Sequence, residues 1–409
     1  MFDNKELIEK VILFAVDLDN GENIEDNLDE LEELVKTAGA VVVGRLIQKK
    51  EHVDTATYLG SGKTEELADL VVETGATGVV CDDELSPIQL TNLERELDTK
   101  IMDRTMVILD IFAGRANTRE GKIQVELAQL KYRSSRLIGM RSSMSRLGGG
   151  IGTRGPGEKK LEIDRRVIRD RIAQLSRELE DVKQHREVMR KQRMQGNLPI
   201  VSIVGYTNAG KSTLLNHLTG AGVLEEDKLF ATLDPTSRNY KLANGQEIII
   251  TDTVGFIRKL PHHLINAFRS TLEEARYADI ILHVVDASNS HADIQILAVY
   301  ETLRGLGVTD KPVITAFNKI DKLEGSPVLK DLTADYTLNI SAKHEIGFDD
   351  LSDILANVIN QTRNYVEKII PYTDAGLLNR IHKSGTLLEE EYREDGIYIR
   401  AYVDKSMDI

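Results

Sequence analysis

The chain has 409 residues, of which 41% are hydrophobic and 29% are charged, and this predicts a water-soluble protein of about two to four domains. It contains neither an apolar run of about 18 residues, as a membrane span requires, nor the N-terminal pattern of a secretory signal. The net charge of −14 argues against nucleic-acid binding by the chain as a whole, and the single cysteine, Cys81, excludes a disulfide framework and favours a reducing, cytoplasmic compartment.

Residues 1–113 alternate strand-like apolar runs with helical patterns, which predicts a small N-terminal α/β domain with a parallel sheet. The predicted strands are Val11–Val16, Val41–Leu46 and Gly78–Cys81. Apolar spacing predicts a helix over Asn27–Lys36, with Asn27 as its cap, and Ser86-Pro87 suits the start of another helix.

Residues 114–196 are strongly basic in an otherwise acidic chain. Helical spacing runs over residues 117–139 and again over 161–195, and the glycine-rich segment 146–160 between them is unsuited to helix or strand. We therefore expect a basic helical hairpin with a glycine-rich tip. From Lys131 to Gln195 the chain has 18 Lys plus Arg against 8 Asp plus Glu, a balance that favours contact with phosphate groups.

Residues 197–365 have the pattern of a doubly wound α/β domain, and residues 366–409 predict a small C-terminal α/β domain. The C-terminal segment predicts a strand at 368–372, a helix at 374–383 and a hairpin turning at 394–396. The chain as a whole is predicted to be a multidomain α/β protein. The expected strands of the larger domain are Ile200–Val204, Ile248–Thr251, Ile280–Val285 and Pro312–Asn318.

The strongest functional signal is the segment Gly205-Tyr206-Thr207-Asn208-Ala209-Gly210-Lys211-Ser212, which follows a strand and opens a helix. It fits the phosphate-loop pattern G-x-x-x-x-G-K-[ST] in the structural context that this pattern requires. In such a loop the backbone N–H groups surround the phosphates, Lys211 supplies positive charge to the β- and γ-phosphates, and the Ser212 hydroxyl ligates Mg²⁺.

Three segments at later strand ends predict the rest of a guanine-nucleotide site. In Asp252-Thr253-Val254-Gly255, the carboxylate can hold Mg²⁺ through water, and the Gly255 N–H can reach a γ-phosphate. In Asn318-Lys319-Ile320-Asp321, the Asp321 carboxylate can accept the two hydrogen bonds that guanine offers and adenine lacks. In Ser341-Ala342-Lys343, the Ala342 N–H can meet the guanine oxygen.

The segment Phe230-Ala231-Thr232-Leu233-Asp234 lies between the phosphate loop and Asp252. It contains a threonine that can complete the Mg²⁺ shell when a γ-phosphate is present. Thr232 is favoured for this position, and Thr236 stays open as its rival. We expect Lys211, Thr232 and Gly255 to act in catalysis, and Ser212 and Thr232 to bind the metal.

Phe256 follows Gly255, at the place where Ras-like enzymes carry a glutamine that orients the attacking water. A phenyl ring cannot orient water by hydrogen bonding. Slow intrinsic hydrolysis is therefore expected, with a partner or another segment supplying the missing group. The alternative is that Phe256 is a core residue and another side chain positions the water.

Together these five segments resemble the G domain of translation-factor-type GTPases. Longer runs extend the resemblance to the HflX family of GTPases over roughly residues 10–365; they are LDIFAGRANTREGKIQVELAQLKYRSSRL, SRLGGGIGTRGPGEKKLEIDRRVIRDRI, GYTNAGKSTLLNHLTG, LFATLDPTSR and DTVGFIRKLPHHLINAFRSTLEEA. The resemblance implies a cytoplasmic, Mg²⁺-dependent GTPase that binds the large (50S) ribosomal subunit and its rRNA and splits or rescues stalled 70S ribosomes under stress. We expect a monomer with no DNA partner, and peripheral membrane association stays open.

The basic hairpin supports an RNA partner from its charge alone, because backbone contacts dominate the recognition of folded RNA. The arginines and lysines around its tip are Arg133, Arg136, Arg141, Arg146, Arg154, Lys159 and Lys160. Two other interpretations remain open. The protein could be a nucleotide-gated RNA binder with incidental turnover, or a regulatory adaptor of a protein partner such as a membrane protease, with a solvated hairpin.

Overall fold

A computed structural model of the chain describes residues 8–19, 21, 23–146, 156–194, 198–220, 229–230, 233, 236–259, 274–323, 325, 329–361 and 363–403. Their contacts divide the chain into two compact units. The first unit comprises residues 1–181 together with 228–230 and 259–268, and the second comprises 182–227, 231–258 and 269–409. The four domains read from the sequence remain a prediction.

The first unit contains a four-stranded parallel sheet in the order β2-β1-β3-β4. Its strands are β1 (Lys10–Asp17), β2 (Val41–Lys49), β3 (Gly78–Cys81) and β4 (Lys100–Asp103). Its helices are α1 (Ile24–Thr37), α2 (Ser61–Thr74), α3 (Pro87–Leu97) and α4 (Arg104–Arg115). All four residues of β3 are buried because the strand lies inside the sheet, which explains its uninterrupted apolar run.

Two helix starts show how local hydrogen bonds set the boundaries. Asn27 was predicted to cap α1, and this is wrong: Asn23 is the cap, its side chain accepting from the Glu25 N–H, while Asn27 is buried inside the helix. The predicted start of α3 is confirmed. Ser86 and Gln89 exchange side-chain-to-backbone hydrogen bonds there, and Pro87 occupies the first turn.

The basic stretch forms two long helices, α5 (Arg119–Arg146) and α6 (Pro156–Met194). They pack through a small apolar cluster that comprises Ile123, Leu127, Leu175 and Leu179. The prediction that residues 146–160 avoid helical structure is wrong at both ends, because α5 includes Arg146 and α6 begins at Pro156. Proline suits the first helical turn, where its missing N–H costs no hydrogen bond. Residues 147–155 lie outside the described residues.

The second unit is built on a six-stranded sheet in the order β10-β9-β8-β5-β7-β6. Its strands are β5 (Ile200–Gly205), β6 (Thr236–Lys241), β7 (Glu247–Asp252), β8 (Ile280–Asp286), β9 (Val313–Asn318) and β10 (Tyr336–Asn339). Its described helices are α7 (Lys211–Thr219), α8 (Ala292–Gly305) and α9 (Phe348–Gln361). Every strand is parallel to its neighbours except β6, which pairs antiparallel with β7.

A three-stranded antiparallel sheet ends the described chain, in the order β11-β13-β12. Its elements are β11 (Asn364–Ile370), α10 (Ala375–Ser384), β12 (Thr386–Arg393) and β13 (Gly396–Val403). Ile370, Ile381 and Ile399 are fully buried in its core. The predicted multidomain α/β class is confirmed. Among the described residues, no helix is both long enough and apolar enough to cross a membrane.

Candidate nucleotide site

The carboxyl ends of β5, β7 and β9 carry three of the predicted motifs to one edge of the parallel sheet, where α/β proteins bind ligands. The loop from Gly205 to Ser212 joins β5 directly to α7. Gly210 has φ +93°, and a Cβ there would lie 2.3 Å from Asn318 Nδ2, so only glycine fits this position. The first turn of α7 therefore presents its N–H groups at the loop, as phosphate binding requires.

Lys211 begins α7 at the end of the loop and is only 6% exposed. Its Nζ donates a hydrogen bond of 2.7 Å to the Tyr206 carbonyl oxygen. Burial lowers the pKa of Lys211 to about 8, although the nearby Asp252 carboxylate raises it. An anion at the loop favours the ammonium form, so a bound phosphate group and this buried lysine stabilise each other.

The donors for a metal ion meet between α7 and β7. Ser212 Oγ donates to Asp252 Oδ2 over 2.9 Å. A hydroxyl and a carboxylate are hard oxygen donors of the kind that Mg²⁺ selects, so this pair fits the ion. Ala231, Thr232 and Asp234 lie outside the described residues, so the role of Thr232 stays a prediction. Its rival Thr236 begins β6 directly opposite Asp252.

The guanine motif is hydrogen-bonded to the phosphate loop. Asn318 Nδ2 donates to the Ala209 carbonyl over 2.9 Å, and Asn318 Oδ1 accepts from the Ala342 N–H over 2.8 Å. Lys319 Nζ donates to the Asn208 carbonyl over 2.8 Å. These bonds join the segments at 205–212, 318–321 and 341–343 into one cluster.

Asp321 lies in a short 3₁₀ turn and accepts a hydrogen bond of 2.6 Å from Ser341 Oγ. That hydrogen bond is the main cause that lowers the pKa of Asp321 below its usual value. An ionised carboxylate is the acceptor form that the guanine ring N–H and amino group need. Ile320 precedes Asp321 in the chain, and the positive charge of Lys343 lowers the pKa of Asp321 further.

Phe256 is buried at 2% exposure and forms an isolated bridge with Tyr206. Its N–H donates to the Gly205 carbonyl over 3.0 Å, and its carbonyl accepts from the Thr207 N–H over 2.8 Å. Thr253 Oγ1 donates to the Ile203 carbonyl, and Val254 is buried beside it. The aromatic ring therefore serves packing, which favours the alternative in which another group positions the water.

Sequence reasoning missed one side chain at this site: Asp286, at the end of β8, lies 2.7 Å from Lys319 Nζ. Within the predicted phosphate loop, the Tyr206 hydroxyl accepts from the Arg258 N–H over 2.8 Å. Asp286 was detectable in principle, because it ends the strand between the two that carry the phosphate and guanine motifs. Phe230 and Leu233 are buried, and Phe230 has a positive φ of 55°.

One arginine assigned to the RNA-binding tip has a different role. Arg136 Nη2 bonds to the buried carboxylate of Asp103 and lies 3.4 Å from the Leu85 carbonyl. Its guanidinium stacks 4.0 Å above the Tyr132 ring. Arg136 therefore holds α5 to the end of β4, a role that its assignment to the basic tip did not include, and its contact with RNA phosphates stays a prediction. Arg133, Arg166 and Arg169 are exposed.

Three protein-family models match the chain. They are described as "GTP-binding GTPase N-terminal" over residues 25–113, "GTP-binding GTPase Middle Region" over 115–193 and "50S ribosome-binding GTPase" over 200–319. The chain is similar to a curated protein named GTPase HflX from Lacrimispora saccharolytica, 63% identical over 98% of this chain and 95% of the relative. A protein of that name from Escherichia coli is 40% identical over 97% and 93% of the two chains.

A solved structure is also similar, that of a GTP-binding protein from Sulfolobus solfataricus in complex with GDP. It is 26% identical, covers 87% of this chain and 99% of its own, and has a TM-score of 0.44.

Proposed function

The chain belongs to the HflX family of GTPases, and on that premise we propose that it binds the large (50S) ribosomal subunit in the cytoplasm and couples GTP hydrolysis to the splitting or rescue of stalled 70S ribosomes. The observation that carries the proposal is the single cluster formed by the phosphate loop, Asp252 and the guanine motif. Those segments come from four separate strand ends, and direct hydrogen bonds join the phosphate loop to Asp252 and to the guanine motif.

The proposed chemistry is positioning and charge stabilisation, without a covalent intermediate. Lys211 and the N–H groups of the phosphate loop neutralise the β- and γ-phosphates, and the Gly255 N–H binds the γ-phosphate as charge develops on it. Ser212, with Asp252 behind it and Thr232 from the neighbouring loop, would hold Mg²⁺, which when bound supplies further positive charge at the phosphates. Asp321 and the Ala342 N–H select guanine.

Two observations support a ribosomal partner. The family description "50S ribosome-binding GTPase" covers the nucleotide-binding residues 200–319. The exposed arginines of the hairpin give a basic surface to a chain whose net charge is −14. A polyanion binds to a basic surface of this kind. The affinity of that interaction falls with added salt, because counterions are released on binding.

The test is GTP turnover by the full chain, with and without purified 50S subunits, at about 50 and 200 mM salt. Strong stimulation that fades at the higher salt is the expected result. The variant R133E/R166E/R169E should lose the stimulation and keep its basal turnover. The control K49E/R95E/R304E makes the same charge change at exposed positions outside the hairpin and should behave like the unmodified protein.

Turnover that 50S subunits leave unchanged would overturn the proposal. That result would favour the adaptor interpretation, in which the hairpin is a solvated structural element. Stimulation that survives both the salt increase and the hairpin substitutions would retain a ribosomal activator but remove the hairpin from its binding surface.

A further inference from the structure

Asp286 is the last residue of β8 and lies directly opposite Asn318, which begins the guanine motif at the end of the neighbouring strand β9. Its carboxylate oxygen Oδ2 lies 2.7 Å from Lys319 Nζ. The side chains of Asp286 and Lys319 are only 16% and 17% exposed. Water and salt screen such a pair less than a pair on the open surface, so the carboxylate fixes the ammonium group more firmly.

The carboxylate of Asp286 is itself held in place by the turn that follows β8. Its other oxygen, Oδ1, accepts hydrogen bonds from the Ser288 N–H over 3.0 Å and from the Ser288 hydroxyl over 2.6 Å. The Ala287 N–H donates to the Asn318 carbonyl oxygen over 2.8 Å, which ties this turn to the end of β9. One carboxylate oxygen therefore serves the turn, and the other serves Lys319.

Lys319 joins the guanine motif to the phosphate loop. Besides its contact with Asp286, Lys319 Nζ donates to the Asn208 carbonyl oxygen over 2.8 Å. The backbone of Lys319 has φ +63°, a conformation that residues other than glycine adopt rarely. Such a backbone persists only where its surroundings hold it. Asp286 and Asn208 supply that hold at the far end of the side chain.

The groups proposed to select guanine are different ones. They are the Asp321 carboxylate and the Ala342 N–H, which bond to Ser341 and to Asn318. In the described part of the chain, Asp286 has no hydrogen bond to either group. We therefore expect Asp286 to affect how tightly a nucleotide is held and to leave the choice between purine bases unchanged.

We propose that Asp286 is a positioning residue that holds Lys319 against the phosphate loop and so strengthens nucleotide binding without selecting the base. The proposal rests on the guanine-nucleotide site and not on the ribosomal partner of the proposed function. The charge of Asp286 alone would act in the opposite direction, because a carboxylate repels an anionic nucleotide. The direction of the change on removal of this charge therefore separates positioning from simple electrostatics.

The test is a double-mutant cycle with D286N, K319M and D286N/K319M. Dissociation constants are measured on the full chain without ribosomes, for GDP and for IDP, which lacks the amino group of guanine. D286N should bind GDP about 5–10-fold more weakly and IDP by the same factor, so that the ratio of the two constants is unchanged. D286N/K319M should bind GDP no more weakly than K319M alone, because Asp286 acts through Lys319.

Steady-state turnover gives a second measurement that a purely structural role would not predict. D286N should raise KM for GTP and leave kcat within about twofold, because substrate and transition state lose the same contact. D286A provides another route if D286N folds poorly, and it should weaken the binding of GDP at least as much.

Two control variants should bind GDP within about twofold of the unmodified protein. S288A removes the hydroxyl donor of the turn and keeps the contact between Asp286 and Lys319, and D353N makes the same chemical change at an exposed position of α9 in the same unit. Tighter or unchanged binding of GDP by D286N, or additive losses in D286N/K319M, would overturn the proposal. Failure of the unmodified chain to bind GDP would instead overturn the nucleotide site itself.

Discussion

His283 lies in the middle of β8 and is 1% exposed, beside Tyr300 and Asp331. Its Nδ1 is 3.6 Å from Asp331 Oδ2, and Asp331 also accepts hydrogen bonds from Tyr300 and Thr315. Burial lowers the pKa of His283 below 6.5, although Asp331 opposes this effect. The native state therefore favours the neutral imidazole.

The unfolded chain binds a proton at His283 at a higher pH than the folded chain does. Stability should therefore fall as the pH drops below about 6.5, by up to about 1.4 kcal/mol per unit, until the lowered folded-state pKa is reached. H283Q should remove this part of the pH dependence. Urea unfolding between pH 5 and 7.5 measures it, and identical slopes for the two proteins would contradict the assignment to His283.

At the scale of secondary-structure elements, the attachment of α5 to β4 depends on one buried carboxylate. Asp103 accepts hydrogen bonds from the Met106 N–H, the Leu85 N–H and the Tyr132 hydroxyl, and it pairs with Arg136. Removal of one partner from a buried pair leaves an uncompensated charge. Three neutral donors remain here, so the loss is smaller than for an isolated pair.

R136M should destabilise the chain by about 2–4 kcal/mol in urea unfolding, whereas R133M, at an exposed position of the same helix, should change stability by less than about 0.5 kcal/mol. Similar small effects for the two variants would show that Arg136 does not hold α5 to the sheet. Because Arg136 has this structural contact, its substitution would change the stability of the chain as well as any binding of RNA.

Most elements could be predicted from the sequence, because their signals are local. Buried strands such as β3 are continuous apolar runs, and the phosphate loop carries its own turn glycines. The pattern could not reveal β6, because Thr236–Lys241 is polar and becomes a strand only by pairing with β7. The role of Arg136 depends on a carboxylate 33 residues away, and spacing along the chain carries no signal for such a contact.

At the scale of the whole molecule, the predicted nucleotide-binding residues at 205–212, 318–321 and 341–343 all belong to the second unit. A ligand stabilises the part of a protein that binds it, by about 2.7 kcal/mol at 100 times its dissociation constant. GDP should therefore slow hydrogen exchange in β5 and β8 and leave exchange in β1 nearly unchanged. Equal protection of β1 and β5 would show that the two units unfold as one.

Asn318 contacts the predicted phosphate loop through Ala209 and the predicted guanine-binding segment through Ala342. The two segments are therefore structurally linked through one side chain. A substitution at Asn318 that changes base selectivity should also weaken the attachment of the phosphate loop, because the same side-chain amide bonds to Ala209 and to Ala342. A change of purine preference that keeps triphosphate affinity is therefore expected from substitutions at Asp321, which accepts a hydrogen bond from Ser341 and none described from the phosphate loop.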